Sequence, residues 1–332
     1  MKKIKFIFRK IKGFQYKNFF SIINEIHKKT KKSRIYLFFD IIRTVIKYGN
    51  GYMDYFEFEF YLLNDEERQT YITAYINNNI VKKYNDKDEM TKFDDKIIFN
   101  NMYKKYLKRD FIDLNNSSLE DFKSFTNKHN KIICKIPNGT GGKGIQVIDV
   151  NKKTNIKKLY NELKNDNLIL VEEYLIQHDK MNKLYDKSVN TLRIITFLDK
   201  DGVHILKTIL KIGNGGHVDN FSSGGMYTFV DENGRVFVPA IDEKGNIFET
   251  HPISKTKIVG FEIPMYKEVV KLISEVGKVN DKVRYIGWDI AISASGPVLI
   301  EGNPFSGIFQ VKPSISGIKT GDLPNFRKYM DI

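Results

Sequence analysis

Cysteine is almost missing from this chain: Cys134 is the one thiol in 332 residues. That excludes a disulfide framework and a zinc centre built from several cysteines, and it fits a reducing cytoplasm. Cys134 lies in the apolar run IIC beside Lys135, which suits a buried structural thiol better than a nucleophile. Long hydrophobic runs are missing as well. No stretch approaches the ~18–20 apolar residues needed to span a bilayer. Arg9, Lys10 and Lys12 interrupt the N-terminal apolar runs before the core of a signal peptide can form. Internal repeats and low-complexity tracts are absent.

Acidic residues are scarce at one end only. Residues 1–50 carry fourteen Lys/Arg against Glu25 and Asp40, a surplus of 12 within a net charge of +14, so the other 282 residues hold only +2. The excess is an N-terminal property, and no nucleic-acid partner is expected for the rest. The opening MKKIKFIFRKIKGFQYKNFFSII alternates basic with aromatic or aliphatic residues. Two readings stay open. Residues 1–32 lie on an anionic membrane, making the protein peripheral at its inner face, or they form a solvated basic helix packed on the body.

What is present falls into two textures. Residues 1–90 read as a basic, mainly helical region. Helical spacing marks RIYLFFDIIRTVIKY (Arg34–Tyr48), and Asn64–Tyr84 begins on a cap-like Asn-Asp followed by acids. The aromatic run Tyr52–Tyr61 suits packing between helices. KYNDKDEM is a polar boundary near 85–92. From about 130 the chain turns to short Ile/Val-rich strands: KIICKI, GIQVIDV, LILVEEYL, NTLRIITFLD, VHILKTILKI, MYTFVDENGRVFVPAID, YIGWDIAIS and PVLIEGN. Asp201-Gly202, Asn233-Gly234 and Lys244-Gly245 supply turns. NIKKLYNELKND and PMYKEVVKLISEVGKV are the helices between them. Many strands with few helices predict an α+β fold with antiparallel sheets.

KIPNGTGGKGIQVIDV (Lys135–Val150) contains a G-x-G-x-x-G at Gly139, Gly141 and Gly144. A dinucleotide turn must open a helix, but IQVIDV after Gly144 is a strand. A P-loop needs Ser or Thr after its lysine, and Lys143 is followed by Gly144. A protein kinase places its lysine on the strand after the loop and supplies HRD and DFG motifs; here Lys135 precedes the loop and those motifs are absent. Two readings remain: a loop folded over phosphates by its backbone N–H groups, with Lys135 reaching a phosphate, or an ordinary hairpin.

GWDIAISASGPVLIEGNPFSG reads as a β-hairpin turning at Ser295-Gly296. Asp289 lies on its first strand, with Glu301 and Asn303 on the second. Two carboxylates and an amide on one face form the hard oxygen environment that Mg²⁺ prefers. The flanks are too apolar for a surface hairpin, and a buried acid pair without a cation is costly.

These residues, in this order, resemble the ATP-grasp superfamily over roughly 90–310. Lys96 of FDDK resembles the first nucleotide lysine, and Lys135 the second, followed by a phosphate loop of Gly139, Thr140, Gly141, Gly142 and Gly144. LILVEEYL resembles the adenine-reading hinge, with Glu172 near the adenine amine and Glu173 and Leu175 giving main-chain groups. Asp179 falls at the place of a ribose-binding acid. Asp289, Glu301 and Asn303 match the magnesium triad. SVNTLRIITF, KIGNGGHVDNFSSGGMYTFVD and GWDIAI/LIEGN are similar to the sugar-transfer-associated branch, encoded with surface-polysaccharide genes, whose members commonly carry Arg where this chain has Lys211.

The resemblance implies an ATP-grasp fold. Residues 91–180 would be the lid subdomain, and 181–332 the subdomain with the metal site. Its cofactors are ATP and two Mg²⁺, which Mn²⁺ can replace, with Arg193 and Lys211 as the catalytic cations. It implies a ligase that activates a carboxylate as an acyl phosphate for attack by an amine or hydroxyl. The carboxylate would belong to a sugar- or lipid-linked glycan or its precursor, in capsular polysaccharide synthesis. The rivals are a kinase-like phosphotransferase on a sugar or small molecule, and a non-catalytic nucleotide- or glycan-binding protein. No histidine is expected as general base; His217, beside NFSSGGMY, comes nearest.

Overall fold

The structure is a computed structural model, and it describes residues 15–139, 144–216 and 218–332. Two units emerge. One joins the described residues up to Tyr84 with Gly307–Ile332, and the other is Asn85–Ser306. Among the described residues no helix is long and apolar enough to cross a membrane.

The first unit is helical. Helices Tyr16–Thr30 and Arg34–Tyr48 pack Phe19, Ile22, Ile23 and Ile26 with Leu37 and Ile41. The aromatic run fills the space beneath them with Tyr55, Phe58, Phe60 and Tyr61. Asn64 does cap a helix, in a reciprocal capping box with Glu67. That helix ends at Arg68, and a second one, Ala74–Tyr84, replaces its expected continuation. The break falls on the β-branched and aromatic TYIT. Thr70 turns its hydroxyl onto the Glu67 carbonyl at 2.5 Å, and Thr73 reaches the Tyr48 carbonyl at 3.0 Å.

The second unit holds two antiparallel sheets. Strands β1 (Phe111–Asp113), β2 (Lys131–Lys135), β3 (Ile145–Asp149) and β4 (Leu170–Glu173) form a four-stranded sheet in the order β1-β4-β2-β3. Helices Leu119–Lys128 and Ile156–Asn165 cover it through Phe122, Phe125 and Leu163. Cys134 lies in this core, where burial pushes its thiol up to about 12, so it is an inert packing residue.

Strands β5 (Thr191–Asp199), β6 (Gly202–Ile212), β7 (Met226–Val230), β8 (Ala240–Asp242), β9 (Ile247–Phe248), β10 (Tyr285–Ser293) and β11 (Gly296–Asn303) form the larger sheet, ordered β11-β10-β5-β6-β7-β8-β9. Helix Tyr266–Val276 packs one face with Val269, Ile273 and Val276 against Leu192, Trp288 and Ile290. Alternation along β10 therefore commits Trp288, Ile290 and Ile292 to that core and leaves Asp289 on the opposite face.

Candidate functional site

The hairpin β10–β11 assembles the acidic cluster, and it needs an irregularity to do so. From the turn inward, Ser293 pairs with Gly296 and Ile290 with Leu299. Continued without a break, that register would set Asp289 opposite Ile300 and turn Glu301 toward the core with Trp288. A β-bulge at Ile300 shifts the register by one residue. Asp289 then pairs with Glu301, Gly287 with Asn303, and Gly302 with Trp288. All three oxygen-bearing side chains thus share one face. Gly302 is required there, because a Cβ would lie 2.9 Å from the Trp288 ring and 3.0 Å from Phe93.

Cations crowd the same face. β5 sets Arg193 directly across from Asp289, and β6 sets Lys211 opposite Thr191. Arg193 grips Asp289 as a fork: Nε donates to Oδ1, and Nη2 donates to Oδ2 at 2.9 Å. Lys211 Nζ donates to the same Oδ2 at 2.9 Å and stands 3.9 Å from Asp219. Asp219 is fixed in turn by the Thr191 backbone N–H at 2.9 Å. Asp289 is only 3 % exposed. Burial alone would push its carboxyl up, but Arg193 and Lys211 overturn that and hold it well below the usual carboxylate range. Burial likewise opposes the charge on Arg193 and Lys211, and their acidic neighbours raise both above their ordinary values.

A second buried carboxylate lies on β4. Glu172 is 1 % exposed and is held by Arg109 at 2.9 Å, by the Asn100 amide at 2.6 Å and by Lys135. Burial would raise its pKa; Arg109 and Lys135 instead hold it well below the carboxylate range. Arg109 also donates to the Leu299 carbonyl at 2.6 Å, tying this acid to β11 beside the bulge. Lys96 begins helix Lys96–Met102 and directs Nζ to the Gly139 carbonyl at the entrance to the glycine loop. Burial lowers its pKa; Glu301 counters that effect and Lys135 adds to it, so these three charges feel one another.

The structure therefore brings together Lys96, Lys135, Gly139, Glu172, Glu301, Asn303, Asp289, Arg193 and Lys211. Gly144 closes the loop with φ +69°, where a Cβ would strike Ile136. Thr140, Gly141, Gly142 and His217 lie outside the described residues. Glu173 points to the other side of β4. There it accepts from the Asp110 backbone at 3.2 Å and joins Asp110 and His129, whose ligating atoms lie within 4.8 Å of one another. Its own backbone N–H is taken by the Asp110 carbonyl at 2.9 Å. Leu175 follows β4, half-buried, and Asp179 is exposed in the first turn of helix Asp179–Leu184. His251 is locked between the Gly213 carbonyl, 2.8 Å from Nε2, and the Ile253 and Ser254 amides; burial lowers its pKa.

Asn100, Arg109, Asp219 and Gly287 were not legible as site residues. Asn100 and Arg109 reach Glu172 from 72 and 63 residues away, with no local motif to mark them. Gly287 is small because Arg193 lies across it: a Cβ there would meet Arg193 Cδ at 2.9 Å.

The donor set Asp289, Glu301 and Asn303 is all oxygen, with no imidazole or thiolate, which fits Mg²⁺ or Mn²⁺. Asp289 Oδ1, which accepts from Arg193 Nε, keeps a second lone pair for a cation, whereas Oδ2 already accepts from Arg193 and Lys211. Glu301 receives the Asn303 amide at a long 3.3 Å.

A family model, described as sugar-transfer associated ATP-grasp, matches residues 75–317. Among solved structures, the chain is similar to the ATP-grasp ligase PsnB in complex with a minimal precursor (14 % identity, 73 % of this chain and 62 % of that one, TM-score 0.39). It is similar to D-alanyl-alanine synthetase A from Vibrio cholerae (12 % identity, 71 % and 60 %, TM-score 0.39). It is also similar to the biotin carboxylase domain of Hydrogenobacter thermophilus 2-oxoglutarate carboxylase bound to MgADP (12 % identity, 76 % and 49 %, TM-score 0.43). The chain spans about three fifths of the first two of these, or less of the third. A search of curated proteins found no match.

Proposed function

The chain belongs to the sugar-transfer associated ATP-grasp family, and from that membership we propose that it is an ATP-dependent ligase. Its carboxylate substrate attacks the γ-phosphorus of ATP; the new O–P bond forms as the bond to the β-phosphate oxygen breaks, and ADP leaves. An amine or hydroxyl then attacks the acyl carbon and loses its proton, and inorganic phosphate departs with the C–O electron pair. The observation that carries this reading is the convergence of Asp289, Glu301 and Asn303 on one face beside Lys96 and Lys135.

Membership of the family supports the following roles. Asp289, Glu301 and Asn303 hold Mg²⁺ (two ions, or Mn²⁺), which when bound neutralises phosphate charge. Lys96 and Lys135 take nucleotide phosphates, with Gly139 and Gly144 at the ends of the phosphate loop. Glu172 and the backbone around Glu173 and Leu175 read adenine, and Asp179 serves the ribose. Arg193 and Lys211, both held charged, counter the charge that develops on the transferred phosphoryl group. Lys211 offers a single cationic point where an arginine would offer a fork.

The family's association with sugar transfer supports a carboxylate on a uronic acid or amino acid in capsular or surface polysaccharide synthesis. The enzyme would work in the cytoplasm, with residues 1–32 near the inner face of the membrane.

Single-turnover assays over a panel of amino acids and uronic acids test this. A ligase releases ADP together with free phosphate when the right pair is present. Phosphate retained on the acceptor would mean a phosphotransferase, and no nucleotide turnover with any pair would contradict the enzymatic reading.

A further inference from the structure

Helix Arg34–Tyr48 is apolar on two faces. Leu37, Ile41 and the small Thr44 face the core of the helical unit. Ile35, Phe39, Ile42 and Ile46 recur at intervals of four, three and four, which sets them in one narrow stripe on the other side. They are 72, 63, 39 and 62 % exposed. Phe20, 51 % exposed, adds an aromatic ring on the neighbouring helix of the same hairpin. Apolar side chains exposed in register along nearly the whole helix call for a partner.

The charge around the stripe says which kind. Residues 15–48 carry eight Lys/Arg against Glu25 and Asp40. Asp40 is buried against Arg68 and adds no surface charge. Arg43 and Lys47, on the edge of the stripe, pair with Asp65 yet stay 52 and 44 % exposed, long enough to reach past the apolar residues. A second copy of this chain would bring the same surplus of positive charge against itself, which repulsion disfavours. An apolar stripe edged by cations matches an anionic lipid surface, which takes the stripe into its acyl boundary and the cations among its headgroups.

We infer that Ile35, Phe39, Ile42 and Ile46 form a membrane-docking stripe for anionic lipid. It lies outside residues 1–32 and does not depend on which reaction the protein catalyses.

Vesicle flotation of the full-length protein tests the inference. Phosphatidylglycerol-containing vesicles should bind it, phosphatidylcholine vesicles should not, and raised salt should weaken the binding. Ile35→Ser/Phe39→Ser/Ile46→Ser should reduce binding about tenfold or more while keeping the wild-type circular dichroism spectrum. Should that triple variant misfold, Ile46→Ser alone should give a smaller loss, about threefold. Wild-type binding by a folded stripe variant would overturn the inference, as would a failure of the full chain to bind anionic vesicles. A solution dimer that the serine variants dissolve would assign the stripe to self-association instead.

Discussion

Glu172 shows most plainly how single residues hold this site. It is an acid with almost no solvent, balanced by Arg109, Lys135 and the Asn100 amide. Its folded pKa is depressed. Its stabilising contribution is therefore fully present above the unfolded value and is lost as pH falls through the folded one. The window opens below about pH 4.3, the ordinary glutamate value. Glu172→Gln should cost about 3–5 kcal/mol near pH 7, because it leaves two cations buried without their acid. It should also flatten the acid limb, so that the two proteins converge as pH falls below 4; urea unfolding at pH 7 and pH 3 reads both effects. Lys211 has the opposite sign, its raised pKa giving stability that is lost only above its ordinary alkaline range. Arg193 mid-strand and Asp289 between Trp288 and Ile290 were legible by type and context, and Glu172 through the resemblance of LILVEEYL to a nucleotide hinge. Their partners were not, since a hydrogen bond across 63 or 72 residues leaves no local trace.

At the scale of elements, strand existence was easy to read and register was not. Period-two alternation and glycine turns mark β2, β3, β5, β6, β10 and β11 within a residue or so of their observed bounds. β1 and helix Leu119–Lys128 escaped notice, the first for its three residues, the second although Ser118 and Asp121 form a capping box. The bulge at Ile300 has no signature in PVLIEGN, yet it alone turns Glu301 and Asn303 to the same face as Asp289. Close packing then fixes the hairpin. Gly287 lets Arg193 pass within 2.9 Å of where a Cβ would sit, and Gly302 does the same for Trp288. Gly287→Ala and Gly302→Ala should each destabilise by about 1–3 kcal/mol through overpacking. Gly287→Ala presses on the cation that grips Asp289, and Gly302→Ala on the strand that carries Glu301 and Asn303, so both should also slow ADP formation beyond their effect on folding. Wild-type turnover by a folded Gly287→Ala would detach Arg193 from the chemistry.

For the whole molecule, the α+β class and antiparallel sheets followed from strand density, and the family from a handful of spaced motifs. The grouping of Gly307–Ile332 with the helical unit did not, because it rests on contacts such as Gly321 N–H to the Thr70 hydroxyl at 2.7 Å, across 251 residues. If the hairpin carboxylates bind nucleotide through a divalent ion, calorimetric titration of ATP with and without Mg²⁺, on wild type and Glu301→Gln, will show it. Mg²⁺ should tighten wild-type binding by tenfold or more, about 1.4 kcal/mol, and Glu301→Gln should lose this gain while keeping its fold. Nucleotide binding indifferent to Mg²⁺, or an equal gain in Glu301→Gln, would rule out a metal held by this hairpin.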